Sequence, residues 1–429
     1  MAQKIPARRD LLKRLRTEYG SKSIGDIKVE NIVGGMRGLK AMVWEGSQVD
    51  PDEGIRFHGM TIPECQQALP KGTTGSETLP ESMFWLLLTG ELPSETQVRN
   101  FSKDLAAQSE LPSYVNNMLD GLPKSMHPMT QLSMAISSLN HDSSFAKQYE
   151  AGLNKAAFWE PTFDDTISLL AKLPTIVARI YTNTYLNQKP LGTIDPNMDL
   201  CHNLAKMMGR ADDTGFVDCL RLYTSLHGDH EGGNLSAHTA HLVGSGLSDI
   251  FLAYSAAVQG LAGPLHGLAA QEVCRWIINM SEKCGDNPSD KDIEDFLWNT
   301  LNSGQVVPGY GHGVLRKPDP RFNAMIAFGL ERKGISEYPL WQLVYRNSQI
   351  APKVLLKHGK TKNPYPNVDS SSGVLFHYYG LPYQMYTVIF GFSRALCLSQ
   401  VIWDRALGLP IERPKSLTLA TIEKLAKGG

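Results

Sequence analysis

Most of the chain carries the hydrophobic periodicity of helices. From Ser76 onward, apolar residues recur every three or four positions, which is the spacing of one face of an α-helix. Two such series are Leu79, Met83, Phe84, Leu87 and Leu88, and then Leu132, Ile136 and Leu139. We therefore predict an all-α fold for the bulk of the chain.

Residues 24–63 have a different pattern. Glycines are frequent there, and apolar residues come in short runs such as residues 42–44. This combination predicts turns and small hairpins rather than helices. Any β-structure is predicted to be minor and to lie in this segment near the N-terminus.

Prolines punctuate the first half of the chain and are predicted to divide it into helices of ordinary length. They are Pro80, Pro93, Pro112, Pro123, Pro128, Pro161, Pro174, Pro190 and Pro196. The two longest apolar stretches, residues 247–262 and 386–403, are interrupted by Asp249 and Arg394. Neither reaches the length of about 18 uninterrupted apolar residues that a membrane span needs, so none is predicted.

Composition narrows the functional classes. The 429 residues predict two or three packed units, and 42 basic against 43 acidic residues give a net charge of -1. Such a balance lacks the positive field of nucleic-acid-binding proteins, so nucleic acid is not predicted as a partner. The six cysteines form no Cys-x-x-Cys pair, which favours a reducing compartment over a disulfide scaffold.

Four histidines fall within fifteen positions: His227, His230, His238 and His241. Two pairs are three residues apart, and Glu231 lies among them, so a metal-dependent hydrolase is one interpretation. The spacing matches no defined zinc motif, and ordinary packed or hydrogen-bonded histidines are the alternative.

Three further residues are candidates for chemistry. His266 follows an apolar helix that Gly263 and Pro264 should end, and His312 lies in a glycine-rich turn suited to an anion. Asp369 precedes another apolar run. The alternatives are a histidine bonded to a carbonyl, a surface turn and a helix N-cap, respectively.

Arg394 interrupts an apolar helix, and a permanent charge there requires a carboxylate or an anionic ligand. Arg413 is a second candidate, although the neighbouring Glu412 offers an ordinary surface pair. Histidines, one aspartate and several arginines suit carbon–carbon bond formation on a carboxylate substrate, because arginines fix carboxylates, a carboxylate removes a C–H proton and imidazoles polarise carbonyls.

Five motifs occur in an order that resembles the citrate synthase family of the eukaryotic mitochondrial type. They are HEGGNLSAHT at 230–239, GPLHGLA at 263–269, PGYGHGVLRK at 308–317, PNVD at 366–369 and ERPKS at 412–416. The likeness runs over residues 27–416. It implies an all-α homodimer in which 1–266 and 373–429 form a large domain and 267–372 a small domain that closes over the substrates.

The resemblance implies that oxaloacetate and acetyl-CoA condense, and that the thioester is hydrolysed to citrate and CoA without a metal or redox cofactor. Asp369 matches the base, His266 the group that hydrogen-bonds the thioester oxygen, and His312 the group that polarises the oxaloacetate carbonyl. The residues that match oxaloacetate and citrate ligands are His230, Arg321, Arg394 and Arg413, the last reaching in from the other subunit.

For CoA, the resemblance implies adenine contacts from Val306, Val307, Pro308, Gly309, Tyr310 and Gly311, and phosphate contacts from Arg37, Arg316 and Lys362. Lys155 stands where an arginine from the partner subunit is expected. Two further departures lie beside catalytic positions, since Ser371 replaces an expected histidine and Gly313 an expected alanine.

Two other functions remain open within this resemblance. A 2-methylcitrate synthase, which uses propionyl-CoA, needs the same catalytic set and a pocket larger by one methylene. An inactive scaffold is disfavoured because Asp369, His266 and His312 are all present. The resemblance implies the mitochondrial matrix, with a targeting segment absent from this chain; the basic residues among the first twenty are interpreted as a solvated helix rather than a targeting remnant.

Overall fold

The computed structural model describes residues 1–285 and 287–428 and is predominantly helical. The helices before residue 267 are α1 Ile5–Tyr19, α2 Val29–Val33, α3 Ile62–Ala68, α4 Pro80–Thr89, α5 Glu95–Ala107, α6 Ser113–Gly121, α7 Pro128–Ser138, α8 Ser144–Glu150, α9 Trp159–Tyr185, α10 Leu200–Met207, α11 Thr214–His227, α12 Leu235–Ser245 and α13 Ile250–Leu261. Those after it are α14 Ala269–Cys284, α15 Asp290–Asn302, α16 Pro320–Leu330, α17 Lys333–Ser336, α18 Pro339–His358, α19 Asp369–Tyr378, α20 Met385–Arg394, α21 Leu398–Leu407 and α22 Leu419–Ala426. Short 3₁₀ turns lie at Ala2–Lys4, Leu139–Asp142, Lys155–Ala157 and Ala395–Cys397.

The strands lie where the glycine-rich pattern predicts them. β1 (Ser47–Asp50) pairs antiparallel with β2 (Gly54–Phe57), and Ser47 lies opposite Phe57. The prediction of an all-α fold with minor β-structure near the N-terminus is therefore confirmed.

Side chains at the helix starts explain several boundaries. Thr61 and Ser94 each accept a hydrogen bond from a backbone N–H in the first turn of α3 and α5, while Glu64 and Gln97 bond back to the cap residue. Asp249 caps α13 in the same way, by accepting bonds from the N–H groups of Phe251 and Leu252. These contacts satisfy donors that have no partner within the helix.

Helix α9 is the longest element and corrects one prediction. Pro174 lies inside it rather than at its end, and the helix continues to Tyr185. A proline removes one intrahelical hydrogen bond. Here the surrounding residues Leu170, Leu173, Ile176 and Val177 are all buried in the core, so tertiary packing outweighs that loss.

The segment Met385–Leu407 is long and apolar enough, by length and composition, to cross a membrane. However, the whole of its most apolar window is buried inside the fold. It comprises α20, a 3₁₀ turn and α21, and its interior position is that of a core helix.

The predicted division of the chain at residues 267 and 372 remains a prediction. Within residues 267–372, α15 packs against α18, and α14 packs against α19, which itself runs past residue 372 to Tyr378. Arg332 links this part to residues outside it, since its guanidinium lies 3.4 Å from an Asp218 carboxylate oxygen and 3.8 Å from one of Glu77.

A buried ion pair joins α11 to its surroundings. The Arg221 guanidinium is 2.6 Å from a carboxylate oxygen of Asp199 and 2.9 Å from one of Asp218, and its side chain is only 1% exposed. It also donates to the Thr74 carbonyl. Two buried carboxylates thus share one guanidinium.

Replacement of Arg221 by alanine should strongly destabilise the fold. It would leave Asp199 without its cation, and such uncompensated buried charges cost about 3–5 kcal/mol. Denaturant unfolding at fixed protein concentration measures the loss. The control is Arg99→Ala, which removes an exposed pair with Glu95 and should cost less than about 1 kcal/mol. Equal unfolding midpoints for both variants would contradict a structural role for the Arg221 pairs.

Candidate active site

His266 lies just after α13, in the turn that Gly263 and Pro264 begin, as predicted. The Ser236 N–H donates to its Nε2 at 3.2 Å, and the Ser236 Oγ lies 2.9 Å from the same nitrogen. Because Nε2 accepts a bond from a backbone N–H, the proton of the neutral ring sits on Nδ1. Burial, reinforced by the positive charge of Arg394, lowers the pKa of His266 to about 4. The ring is therefore a neutral donor near pH 7.

His312 is held in the opposite orientation. Its Nδ1 accepts bonds from the N–H groups of Val314 at 3.0 Å and Leu315 at 3.1 Å. The ring proton must then sit on Nε2. Burial, with a contribution from Arg321, lowers the pKa of this imidazole to about 4. His312 is thus a second neutral hydrogen-bond donor.

Asp369 is the first residue of α19 rather than its N-cap. Its N–H donates to the Asn367 Oδ1 at 3.0 Å. Burial raises the pKa of the Asp369 carboxyl to about 6, against the opposing charges of Arg321 and Arg394. A carboxylate with a raised pKa is a stronger base than an exposed one and is still ionised at pH 7.

Arg394 reaches this region from the buried end of α20. Its Nε donates to the His227 carbonyl at 2.8 Å, and a terminal nitrogen donates to the Asn234 Oδ1 at 2.7 Å. Both acceptors are neutral, and no carboxylate forms an ion pair with Arg394 within residues 1–285 and 287–428. An anionic ligand is the partner that this charge lacks.

Arg321 differs because it has an internal partner. Its guanidinium pairs with the Asp319 carboxylate, with Nη2 to Oδ2 at 2.7 Å, and both side chains are buried. His230 and His312 lie with ring centroids 5.6 Å apart. Burial lowers the pKa of His230 well below its usual value, and the charge of Arg321 adds to the effect. Neutral histidines and arginines from separate motifs therefore meet at one place.

The sequence did not indicate that two aromatic side chains, Tyr223 and Phe390, pack against the histidines of this site. The His227 ring stacks on Tyr223 with centroids 3.9 Å apart, and Phe390 contacts the rings of both His227 and His266 at 5.1 and 5.9 Å. Phe390 also lies 4.9 Å beneath the Arg394 guanidinium. Ser236 and Asn234 were visible in the 230–239 motif, but nothing in the sequence signalled which side chains they would orient.

The four clustered histidines separate into different roles. His227 is a packed core histidine whose Nδ1 lies 2.9 Å from the Tyr223 carbonyl, and His230 faces the site. His238 and His241 are bonded to carboxylates instead. In the part of the chain that the structure describes, no group of three or more histidine, cysteine or acidic side chains is arranged to hold a metal ion. This geometry gives no support to the metal-hydrolase interpretation.

The predicted CoA residues fall into two groups. The loop of residues 306–311 and the segment before Asp369 are joined by backbone bonds: the Gly311 N–H donates to Tyr365, and the Asn367 N–H to Gly309. Gly309 has φ +80°, and a Cβ there would lie 2.9 Å from the Ser370 Cα, so only glycine fits. Arg316 and Lys362 are exposed beside this loop, as is Val306, whereas Val307 is buried.

Among the described residues, the other predicted ligands form no hydrogen bond with this loop. Arg37 is exposed in the irregular segment after α2, and Lys155 lies beside Gly408. Arg413 is exposed in the irregular segment of residues 409–418. Glu412 does not pair with Arg413; it is bound by His238 and His241 instead.

Ser371 and Gly313, which stand where a histidine and an alanine are expected, have different surroundings. Ser371 is fully buried in the first turn of α19, where its Oγ lies 3.3 Å from the Val368 carbonyl and 3.7 Å from the Met325 sulfur. A Cβ at Gly313 would meet no atom within 4 Å, so this glycine borders open space.

The geometry combines one carboxylate base, two neutral imidazoles that carry their proton on Nδ1 in His266 and on Nε2 in His312, and an uncompensated guanidinium. Such a set can deprotonate carbon next to a carbonyl, stabilise two carbonyl oxygens and hold an anion. The sequence profile described as citrate synthase, C-terminal domain, matches residues 35–415. The chain belongs to the citrate synthase family. It is therefore an acyltransferase.

Relatives of two named activities share this family. The chain is 61% identical to the mitochondrial 2-methylcitrate synthase of Gibberella moniliformis over 433 residues, covering 100% of this chain and 92% of the relative. It is 53% identical to the mitochondrial citrate synthase of Emericella nidulans over 426 residues, covering 99% of this chain and 89% of the relative.

The fold is also that of solved members. The citrate synthase of Pyrobaculum aerophilum superposes with a TM-score of 0.78 at 24% identity, covering 93% of this chain and 95% of that chain. The predicted family and fold are confirmed. The predicted preference for acetyl-CoA has less support than its alternative, because identity is higher to the 2-methylcitrate synthase.

Proposed function

We propose that this protein is a 2-methylcitrate synthase, which condenses propionyl-CoA with oxaloacetate and hydrolyses the resulting thioester. The observation that carries this proposal is the identity of 61% to a 2-methylcitrate synthase, against 53% to a citrate synthase. The arrangement of Asp369, His266 and His312 serves either acyl donor, because both react through the carbon next to the thioester.

In the first step, Asp369 removes a proton from that carbon. The Nδ1–H of His266 donates to the thioester oxygen as negative charge develops there. The Ser236 N–H fixes the ring in the required tautomer, since it occupies Nε2. The neutral ring is suited to this role because it keeps its Nδ1 proton at pH 7 and can donate it as a hydrogen bond to the enolate oxygen.

In the second step, the carbon nucleophile attacks the oxaloacetate carbonyl. The Nε2–H of His312 donates a hydrogen bond to that oxygen as the new carbon–carbon bond forms. The oxygen then takes up one proton, which balances the proton that Asp369 removed, and becomes the hydroxyl of the product. Water then attacks the thioester carbonyl, the carbon–sulfur bond breaks, and CoA leaves as its thiol. The products are 2-methylcitrate and CoA, and no redox change occurs.

Substrate binding follows from the charges. Arg394 and Arg321 bind oxaloacetate carboxylates together with His230. The exposed Arg316, Lys362 and Arg37 suit the phosphates of CoA, and residues 306–311 suit its adenine. We also propose a homodimer. In it, Arg413 binds oxaloacetate and the exposed Lys155 binds CoA in the partner's site.

Two small residues are consistent with a longer acyl group. Ser371 replaces the bulkier histidine expected in the first turn of α19, and Gly313 borders open space next to His312. One methylene changes discrimination by only about 1–3 kcal/mol, or about 10- to 200-fold, so modest changes in pocket shape suffice.

CoA release with oxaloacetate and either propionyl-CoA or acetyl-CoA tests the proposal. We expect kcat/KM for propionyl-CoA to equal or exceed that for acetyl-CoA, with 2-methylcitrate identified by mass spectrometry. A preference of more than about tenfold for acetyl-CoA would make the protein a citrate synthase. Absence of turnover with both donors would favour the scaffold interpretation.

We propose a mitochondrial location, because the 2-methylcitrate and citrate synthases compared above are both mitochondrial. Helix α1 at the N-terminus is mostly exposed and buries only Ile5. Immunofluorescence of the full-length protein with a matrix marker tests it.

A further inference from the structure

His238 and His241 are not used by the proposed reaction, and both bind one carboxylate. The Nε2 of His241 lies 2.7 Å from one oxygen of Glu412, and the Nε2 of His238 lies 3.2 Å from the other. The Nδ1 of His241 lies 2.6 Å from an oxygen of Asp404 on α21. His241 therefore bridges the body of the subunit and Glu412.

The hydrogen-bond chemistry of this bridge defines its charge. Both partners of His241 are carboxylates, which only accept when ionised, so both ring nitrogens must donate. The ring is then a cation between two anions, and its hydrogen bonds are charge-assisted. His241 is only 6% exposed, so water competes little for these bonds.

Glu412 is also the residue directly before Arg413, and it is the last residue before 413–417 that is held by hydrogen bonds. Its N–H donates to the Ser245 Oγ at 3.0 Å. Residues 413–417, by contrast, form no hydrogen bond with any other described residue and are all exposed. The direction in which Arg413 leaves the subunit is thus set at its immediate neighbour.

We propose that His238 and His241 are positioning residues for Arg413: by holding Glu412, they fix where the segment of residues 413–417 leaves the subunit, so that Arg413 reaches oxaloacetate in the partner's site. This inference rests on the proposed function, in which Arg413 is a carboxylate ligand. Without this anchor, the segment must be ordered at each binding event, and that cost in entropy weakens substrate affinity.

The test compares Glu412→Ala, Arg413→Ala and the double variant, with KM for oxaloacetate and for the acyl-CoA as separate readouts. Glu412→Ala should raise KM for oxaloacetate about tenfold, with smaller changes in kcat and in KM for the acyl-CoA. It should add little when Arg413 is already alanine, because the two residues act as one unit. Glu412→Gln, which retains a hydrogen-bond acceptor, should recover part of the affinity.

Two further variants complete the design. His238→Ala, at a partly exposed position, should reproduce the Glu412→Ala effect more weakly. Glu423→Ala, which breaks an exposed pair with Lys427 further along the same C-terminal segment, should change neither KM. Light scattering on each variant establishes that the oligomer is intact.

The outcomes separate the inference from the proposed function. An unchanged KM for oxaloacetate in Arg413→Ala would reject the role of Arg413 and, with it, the basis of the inference. A raised KM in Arg413→Ala with normal values in Glu412→Ala and His238→Ala would overturn the positioning role alone. Full additivity in the double variant, or loss of the oligomer in Glu412→Ala and His238→Ala, would do the same.

Discussion

Asp369→Asn is expected to lower kcat by about 10²- to 10⁴-fold while oxaloacetate still binds. Asparagine has nearly the same shape but cannot accept the proton from the acyl-CoA carbon. The backbone bond from residue 369 to Asn367 does not depend on the side chain, so the start of α19 should be preserved. The measurements are CoA release at saturating substrates and calorimetric titration with oxaloacetate.

The pH profile provides an independent check on the same group. Because burial raises the pKa of Asp369 to about 6, the base is ionised above this value and protonated below it. For the wild-type protein, kcat/KM for the acyl-CoA should therefore fall as the pH decreases through about 6. His266 and His312 remain neutral throughout this range, since burial lowers the pKa of each to about 4.

A matched control is Asp104→Asn, on the exposed face of α5, which should leave turnover and its pH profile unchanged. In Asp369→Asn, the residual activity should lose the limb near pH 6. Near-normal turnover in this variant would refute the assignment of Asp369 as base. Loss of oxaloacetate binding together with turnover would indicate that the substitution had disrupted the site itself.

The sequence predicted the all-α fold and the small hairpin because those depend on local periodicity and on turn residues. It also predicted that the helix before His266 ends at Gly263 and Pro264, because proline disfavours the interior of a helix. It failed at Pro174, which tertiary packing holds inside α9. Local rules do not register how deeply a helix will be buried.

The sequence predicted which residues form the site, but not which contacts orient their side chains. Arg394 stood out because a charge within an apolar helix needs a partner, and the structure adds that its partners are a carbonyl and an amide. The tautomers of His266 and His312 depend on backbone N–H groups from Ser236, Val314 and Leu315. Ser236 is 30 residues from His266 in the chain, a contact that no spacing rule indicates.

The clustered histidines also show that closeness along the chain does not predict which side chains share a partner. Their proximity along the chain suggested a common metal, yet His230 and His241 turn to different neighbours in space. Asp404 and Glu412, the partners of His241, lie more than 160 residues further along the chain. Three-dimensional placement, rather than sequence spacing, decides which carboxylates meet which imidazoles.

Arg394→Ala is expected to weaken oxaloacetate binding by about 2–5 kcal/mol, or about 30- to several-thousand-fold. The guanidinium is buried, and no carboxylate pairs with it among the described residues, so the substrate carboxylate is the anion that completes it. Titration calorimetry with oxaloacetate measures the effect directly. Arg394→Lys should be intermediate, because an ammonium keeps the charge but cannot bond His227, Asn234 and the substrate in one plane.

Arg405→Ala is the matched control for Arg394. Arg405 is also buried, but its guanidinium donates to the Ser248 carbonyl and lies over Phe145, away from the histidines of the site. Its loss should lower thermal stability with little change in oxaloacetate affinity. If Arg394→Ala instead bound oxaloacetate as tightly as the wild-type protein, the charge would be compensated within the fold. The uncompensated guanidinium would then no longer identify the region around Arg394 as the place where the dicarboxylate binds.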